Sequence, residues 1–143
     1  MKNKFSAKAS VVINKPVEKV WQALTDPEII KQYFFGVNVV TDWKVGSPII
    51  YKGIWEGKEF QDKGIILKNI PNQILESSYW SNFSGLADSP DNYSIVKYTL
   101  SQRGDNTYLE VVQDNIQTEQ AATHSERNWN FVLESLKKLL ENN

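Results

Sequence analysis

Residues 4 to 13 alternate, with Phe5, Ala7, Ala9, Val11 and Ile13 on one side and Lys4, Ser6, Lys8 and Ser10 on the other. A period of two predicts a half-buried strand with one wet face. Asn14-Lys15-Pro16 then opens a helix, where Pro is suited to the first turn. Val17, Val20, Trp21 and Leu24 fall at i, i+3, i+4 and i+7, an amphipathic stripe. Asp26-Pro27 breaks and restarts the helix: Pro27 pushes Asp26 out of helical dihedrals, and Asp26 can cap the second helix. Ile29, Ile30, Tyr33 and Phe34 supply the apolar side of this second helix.

From Gly36 the period changes to two again. Val37, Val39 and Thr41 alternate with Asn38, Val40 and Asp42, and Lys44-Val45-Gly46-Ser47-Pro48 reads as a turn. Strands are predicted over 49–55 and 58–68, joined at Glu56-Gly57, and over 73–80 after the turn Asn69-Ile70-Pro71-Asn72. Residues 81–92 form a loop. Two more strands, 93–101 and 107–114, flank Arg103-Gly104-Asp105-Asn106, and a long helix occupies about 119–140. One strand, two short helices, six strands and a long helix, with short links between the six, predict an α+β domain. Its sheet is an antiparallel meander, and the whole chain, 1–143, is one domain.

The last helix is asymmetric. Its C-terminal half carries Trp129, Val132, Leu133, Leu136, Leu139 and Leu140, whereas Ala121, Ala122 and Ser125 lie upstream. Ala7 and Ala9 repeat the small-residue theme on the first strand. Two such faces can meet closely or line a cavity. Phe83 and Leu86 interrupt the polar loop 81–92 and must pack on something, either plugging the core or covering a cavity mouth.

The sequence narrows the chemistry. A net charge of -1 gives no electrostatic footprint for nucleic acid or an anionic membrane, and no apolar run reaches spanning length. The chain has no cysteine, which excludes disulfides and thiolate chemistry, and its N-terminus has no signal-peptide core. Both point to a cytoplasmic protein. On that reading, the Asn82-Phe83-Ser84 and Asn92-Tyr93-Ser94 triplets are chance matches.

No cofactor-binding or hydrolase motif is present, and the single histidine, His124, makes no structural metal site and is expected at the surface. Glu56, Glu59, Asp62, Glu76, Glu110 and Asp114 are expected in solvent. Gln113 continues the register of Leu109 and Val111, so its amide is expected to face inward and to need a partner; Tyr51 and Tyr98 are further polar handles. Trp43, Trp55, Trp80 and Trp129 are expected mainly in the core, with one or two reaching a ligand.

Four stretches occur in order: PVEKVWQALTDPEIIKQYF at 16–34, WKVGSPI at 43–49, SGLADSPDNYSIVKYTLS at 84–101 and WNFVLESLKKLL at 129–140. Together they resemble the bacterial single-domain members of the heat-shock chaperone ATPase-activator homologue family. That family lies in the START-like (SRPBCC) superfamily, beside birch-pollen-allergen proteins and polyketide cyclases. The resemblance implies a helix-grip fold, in which a curved seven-stranded antiparallel sheet wraps a long C-terminal helix and two short helices come after the first strand. It also implies an apolar cavity between sheet and helix.

The leading expectation is therefore a binding protein for an apolar or amphipathic small molecule, with no cofactor and no metal. The expected lining is Ala122, Ser125 and Trp129 from the last helix, Gln113, Tyr98 and Trp80 from strands, Phe83 from the loop and Phe34 from the second helix. Two alternatives stay open. One is a cyclase, dehydratase or hydrolase acting on an aromatic or polyketide-like substrate, which needs a cavity-facing acid or base. The other is a chaperone-linked interaction module, whose protein partner the sequence does not name and which needs an exposed apolar patch on the outer face.

Overall fold

The computed structural model describes residues 4–81 and 83–142, apart from the side chain of Trp55; the Asn82 triplet and the Trp55 ring thus lie outside the described residues. Strand β1 (Phe5–Ile13) leads into α1 (Val17–Thr25) and α2 (Pro27–Tyr33). Then come β2 (Asn38–Val40), β3 (Pro48–Trp55), β4 (Lys58–Ile70), β5 (Ile74–Tyr79), β6 (Ser94–Arg103), β7 (Asn106–Ile116) and α3 (Glu119–Glu141). The strands form one antiparallel, curved sheet in the order β1-β7-β6-β5-β4-β3-β2. From β2 to β7 each strand pairs with the next in sequence, as the short links require. This is the helix-grip α+β fold.

Several boundaries differ from the alternation. The strand expected over 37–42 contracts to three residues, because Thr41 Oγ1 accepts from Trp43 N and Asp42 Oδ1 accepts from Lys44 N. These side-chain turns offer the backbone an alternative to the ladder. Strands β4 and β7 run further, to Ile70 and Ile116, and the loop holds a 3-10 turn at Pro90–Asn92.

The break between the short helices is built as the sequence implies. Asp26 adopts an extended conformation and its carboxylate accepts from Glu28 N at 2.9 Å, with Pro27 in the first turn. The Tyr33 hydroxyl donates to the Ala23 carbonyl at 2.8 Å and locks α2 against α1. Phe35 and Gly36 then take left-handed dihedrals, φ 53° and 70°, and end the helix sharply. Consecutive aromatics therefore diverge: Tyr33 is buried, Phe34 is half-buried and Phe35 is exposed.

Helix α3 starts at a Thr118 cap, whose hydroxyl accepts from Ala121 N at 3.0 Å, and packs chiefly on β1. Ala7 and Ala9, at 0% and 5% exposure, give it room to approach. Val132, Leu133 and Leu136 are nearly fully enclosed below it. Side chains of α3 also reach the free edge of β1. Glu126 accepts from Lys8 N at 3.4 Å, Lys137 donates to the Val12 carbonyl at 2.7 Å, and Glu141 accepts from Asn14 N at 2.8 Å. Of the small-residue half of the helix, Ala122 is buried, Ser125 is half-buried and Ala121 is exposed. Among the described residues no helix is long and apolar enough to cross a membrane.

Candidate functional site

With α3 drawn toward β1, the concave face of β3–β6 is left to be filled by α2 and by side chains of the sheet itself. Alternation fixes which residues point there: Ile49 and Tyr51 from β3, Phe60, Asp62 and Ile66 from β4, Leu75, Ser77 and Tyr79 from β5, Ser94, Val96 and Tyr98 from β6. Their register brings Tyr51 opposite Asp62, and Tyr79 opposite Ser94.

Aromatic rings do most of the filling. Phe34 meets Trp129 edge-on at 5.8 Å and stacks over Tyr51 at 6.4 Å. Tyr98 meets Trp129 edge-on at 5.8 Å, and Tyr51 meets Tyr79 at the same separation. Toward solvent, Phe35 stacks on Phe131 at 5.5 Å, with both rings exposed, and Phe83 lies 5.5 Å from Phe60. About 30 Å³ of free space remains among residues that include Leu24, Tyr33, Phe34, Trp43, Tyr51 and Tyr98. That suits a water or two, against roughly 300–1,000 Å³ for pockets that hold drug-sized molecules. The groove is largely occupied by its own rings.

Beneath the rings runs a line of polar atoms. Trp129 Nε1–H donates to Gln113 Oε1 at 2.9 Å, and Gln113 Nε2 donates to Ser94 Oγ at 3.0 Å. Ser94 Oγ–H in turn donates to the Tyr79 carbonyl at 3.4 Å, and the Tyr79 hydroxyl donates to Asp62 Oδ2 at 2.5 Å. The expectation that Gln113 faces inward and needs a partner is met, with a partner at each end of its amide.

Asp62 overturns an expectation. The alternation puts it in solvent with the other strand carboxylates, yet it is buried, because it occupies the inward register between Phe60 and Ile66. Burial raises its carboxyl pKa above the usual range, opposed by the hydroxyls of Ser81 and Tyr79. The Tyr51 hydroxyl is pushed up to about 12, first by burial and then by the Asp62 charge, against a lowering hydrogen bond with Ser77. Tyr79 and Tyr98 are raised well above a free phenol, mainly by burial. All three tyrosines are therefore neutral donors at neutral pH.

The remaining residues expected at the site are dispersed. Trp129, Gln113, Tyr98 and Phe34 converge. Ala122 is buried in the core and Ser125 is half-buried beyond it on α3. Trp80 takes the outward register across from Lys63; its ring stacks on Tyr93 at 6.4 Å and its Nε1–H donates to the Leu86 carbonyl at 3.3 Å. Phe83 is half exposed against Phe60, at the end of the groove. His124 is exposed, as expected, and among the described residues no His, Asp and Glu cluster is arranged to hold a metal ion. Sequence reasoning does not single out Asp62, Ser77, Ser94 or Tyr79 for the site. The signal for Asp62 is the even register of Phe60, Gly64 and Ile66.

A helix-grip sheet closed by α2 and α3 defines a START-like architecture. Residues 14–141 match the family model described as activator of Hsp90 ATPase homolog 1-like protein, and the chain belongs to that family. Among solved structures, it is similar to ChR145 from Cytophaga hutchinsonii, with 50% identity, a TM-score of 0.85 and coverage of 99% of this chain and 97% of the other. The Aha1 dimer from Colwellia psychrerythraea shares the fold at 23% identity and TM-score 0.74, covering 96% of each chain. DynU16, from the dynemicin biosynthetic locus, shares it at 20% identity and TM-score 0.78, over 95% of this chain and 47% of that one. No curated protein matches the chain.

Proposed function

We propose that the chain binds a small apolar or amphipathic molecule, preferably an aromatic one, in the concave-face groove between α2, α3 and strands β3–β6. The observation that carries this reading is the line of partly buried polar atoms from Trp129 through Gln113 and Ser94 to the Tyr79–Asp62 pair, set against an aromatic wall. Ligand sites are mostly apolar with a few placed polar groups that fix orientation. A guest enters by displacing ring contacts of Phe34 and Tyr51, two of the half-buried members of the wall. Burial of its apolar surface, at roughly 25 cal/mol per Å² before ordering costs, offsets the loss.

The test is an NMR titration with 2-methylnaphthalene and 2-naphthol, monitored at the Trp129 indole N–H, which is assigned by its disappearance in Trp129→Phe. Binding in the groove shifts that resonance together with the amides of β5 and β6. If neither compound perturbs them at millimolar concentration, the reading is wrong.

A second reading, an enzyme acting on such a molecule, draws on Asp62. A buried carboxyl with a raised pKa, held by a tyrosine hydroxyl, is the acid or base that reading requires. The same groove would then hold a substrate.

A further inference from the structure

The two oxygens of the Asp62 carboxyl are held unequally, with the Ser81 hydroxyl also near the group. Its Oδ2 receives the Tyr79 hydroxyl, whereas Oδ1 is buried and accepts no hydrogen bond. The residue is 7% exposed. Unsatisfied buried acceptors are uncommon, and a half-satisfied carboxylate costs more than a neutral group of the same shape. Nor does a cation compensate it. The neighbouring Lys63 points to the convex face, where it pairs with Asp88 at 2.5 Å, and none of the ion pairs among the described residues includes Asp62. Around the carboxyl lie the hydroxyls of Tyr51, Tyr79 and Ser81 and the rings of the groove wall. The local field on the concave face is therefore negative, with one acceptor atom open.

We propose that Asp62 Oδ1 is the anchor for the ligand's headgroup, and that the groove selects apolar or aromatic molecules carrying an O–H or N–H donor and rejects carboxylates. The inference rests on the groove reading above and gives it a polarity. Tyr79 positions the carboxylate through Oδ2 and leaves the other oxygen for the guest. A hydroxyl would give a charge-assisted hydrogen bond. A protonated amine would add charge compensation and contact with the faces of Tyr51 and Tyr79. A fatty acid or aromatic acid would set like charges together in a site of low polarity.

The experiment is calorimetric titration at pH 7 of wild type and Asp62→Asn with four naphthalene probes. These are 2-naphthol, 2-naphthylmethylamine, 2-methylnaphthalene and 2-naphthoate. In the wild type at least one donor probe binds about tenfold tighter than 2-methylnaphthalene, and 2-naphthoate binds weakest. Whichever of naphthol and amine leads identifies a neutral or a cationic headgroup. In Asp62→Asn the donor advantage shrinks severalfold while 2-methylnaphthalene is unchanged. Equal binding of all four by wild type overturns the anchor and leaves the groove reading standing. Preference for 2-naphthoate overturns the predicted polarity. Binding of none overturns both readings. The wild-type ranking alone decides the matter if the variant fails to fold.

Discussion

Helix α3 makes two unlike contacts with one sheet. Along β1 it lies close, over Ala7 and Ala9, with its own Ala122 buried and its charged side chains bonded to the strand edge. Across β5 and β6 it is held off, and Trp129 spans the gap to Phe34, Tyr98 and Gln113. The first contact is close packing over small residues with charged side chains at its rim. The second is aromatic, half-buried and threaded with polar atoms. The contrast separates the part of the molecule that holds the helix from the part that can receive something.

The largest effect should come from spoiling the close contact. Ala7→Leu forces a larger side chain into a site with no exposure, and should cost about 3 kcal/mol in urea denaturation. A loss below about 1 kcal/mol would mean that α3 can drift from β1 and that the two contacts are not distinct.

Gln113→Leu probes the second contact. It leaves the Trp129 N–H without its acceptor and the Ser94 hydroxyl without its donor, for an expected loss of about 1–2 kcal/mol. The Trp129 indole N–H should also exchange faster with solvent. Unchanged exchange would show that the polar line does not hold the ring.

Asp62→Asn should act in the opposite direction. The folded-state pKa of Asp62 is raised, so its contribution to stability is full below the unfolded value near 4 and is lost as pH rises through the folded one. At pH 7 the wild type carries the burial cost of the charge and the asparagine variant does not. The variant should melt higher at pH 7 by about 3 °C, the shift that ~1 kcal/mol produces in a domain of this size, and the gap should close toward pH 4. A variant that melts lower at pH 7 would show that the charge is stabilised by something other than Tyr79 and Ser81.

Much of the architecture is legible in the sequence because its signals are local. The alternation of Phe5 to Ile13, the Asp26-Pro27 break and the stripe of α3 each specify an element within a few residues. Gln113 is legible because its neighbours Leu109 and Val111 set an unambiguous register. Asp62 is not, because Gln61-Asp62-Lys63-Gly64 has no apolar side chain to mark the inward face, so the register of β4 passes through the site unread. Trp80 departs from its expected place for a related reason: one step along β5 moves a side chain to the other face. The sideways placement of α3 over β1 depends on how alanines on two distant elements meet, and no local period carries that.

Gly64 belongs to that same register, but its lack of a side chain has its own use. A Cβ there would sit 1.7 Å from the Ser78 carbonyl oxygen, so only glycine lets β4 and β5 come together at this point.

The side chains over β1 also bear on how the protein behaves when crowded. An open strand edge is a template onto which another chain can add by backbone pairing. Here Glu126, Lys137 and Glu141 already occupy backbone groups along that edge, and the opposite border is only the three residues of β2. Side chains thus compete for part of the β1 edge, so addition of a second copy there would first have to displace the Glu126 and Lys137 contacts.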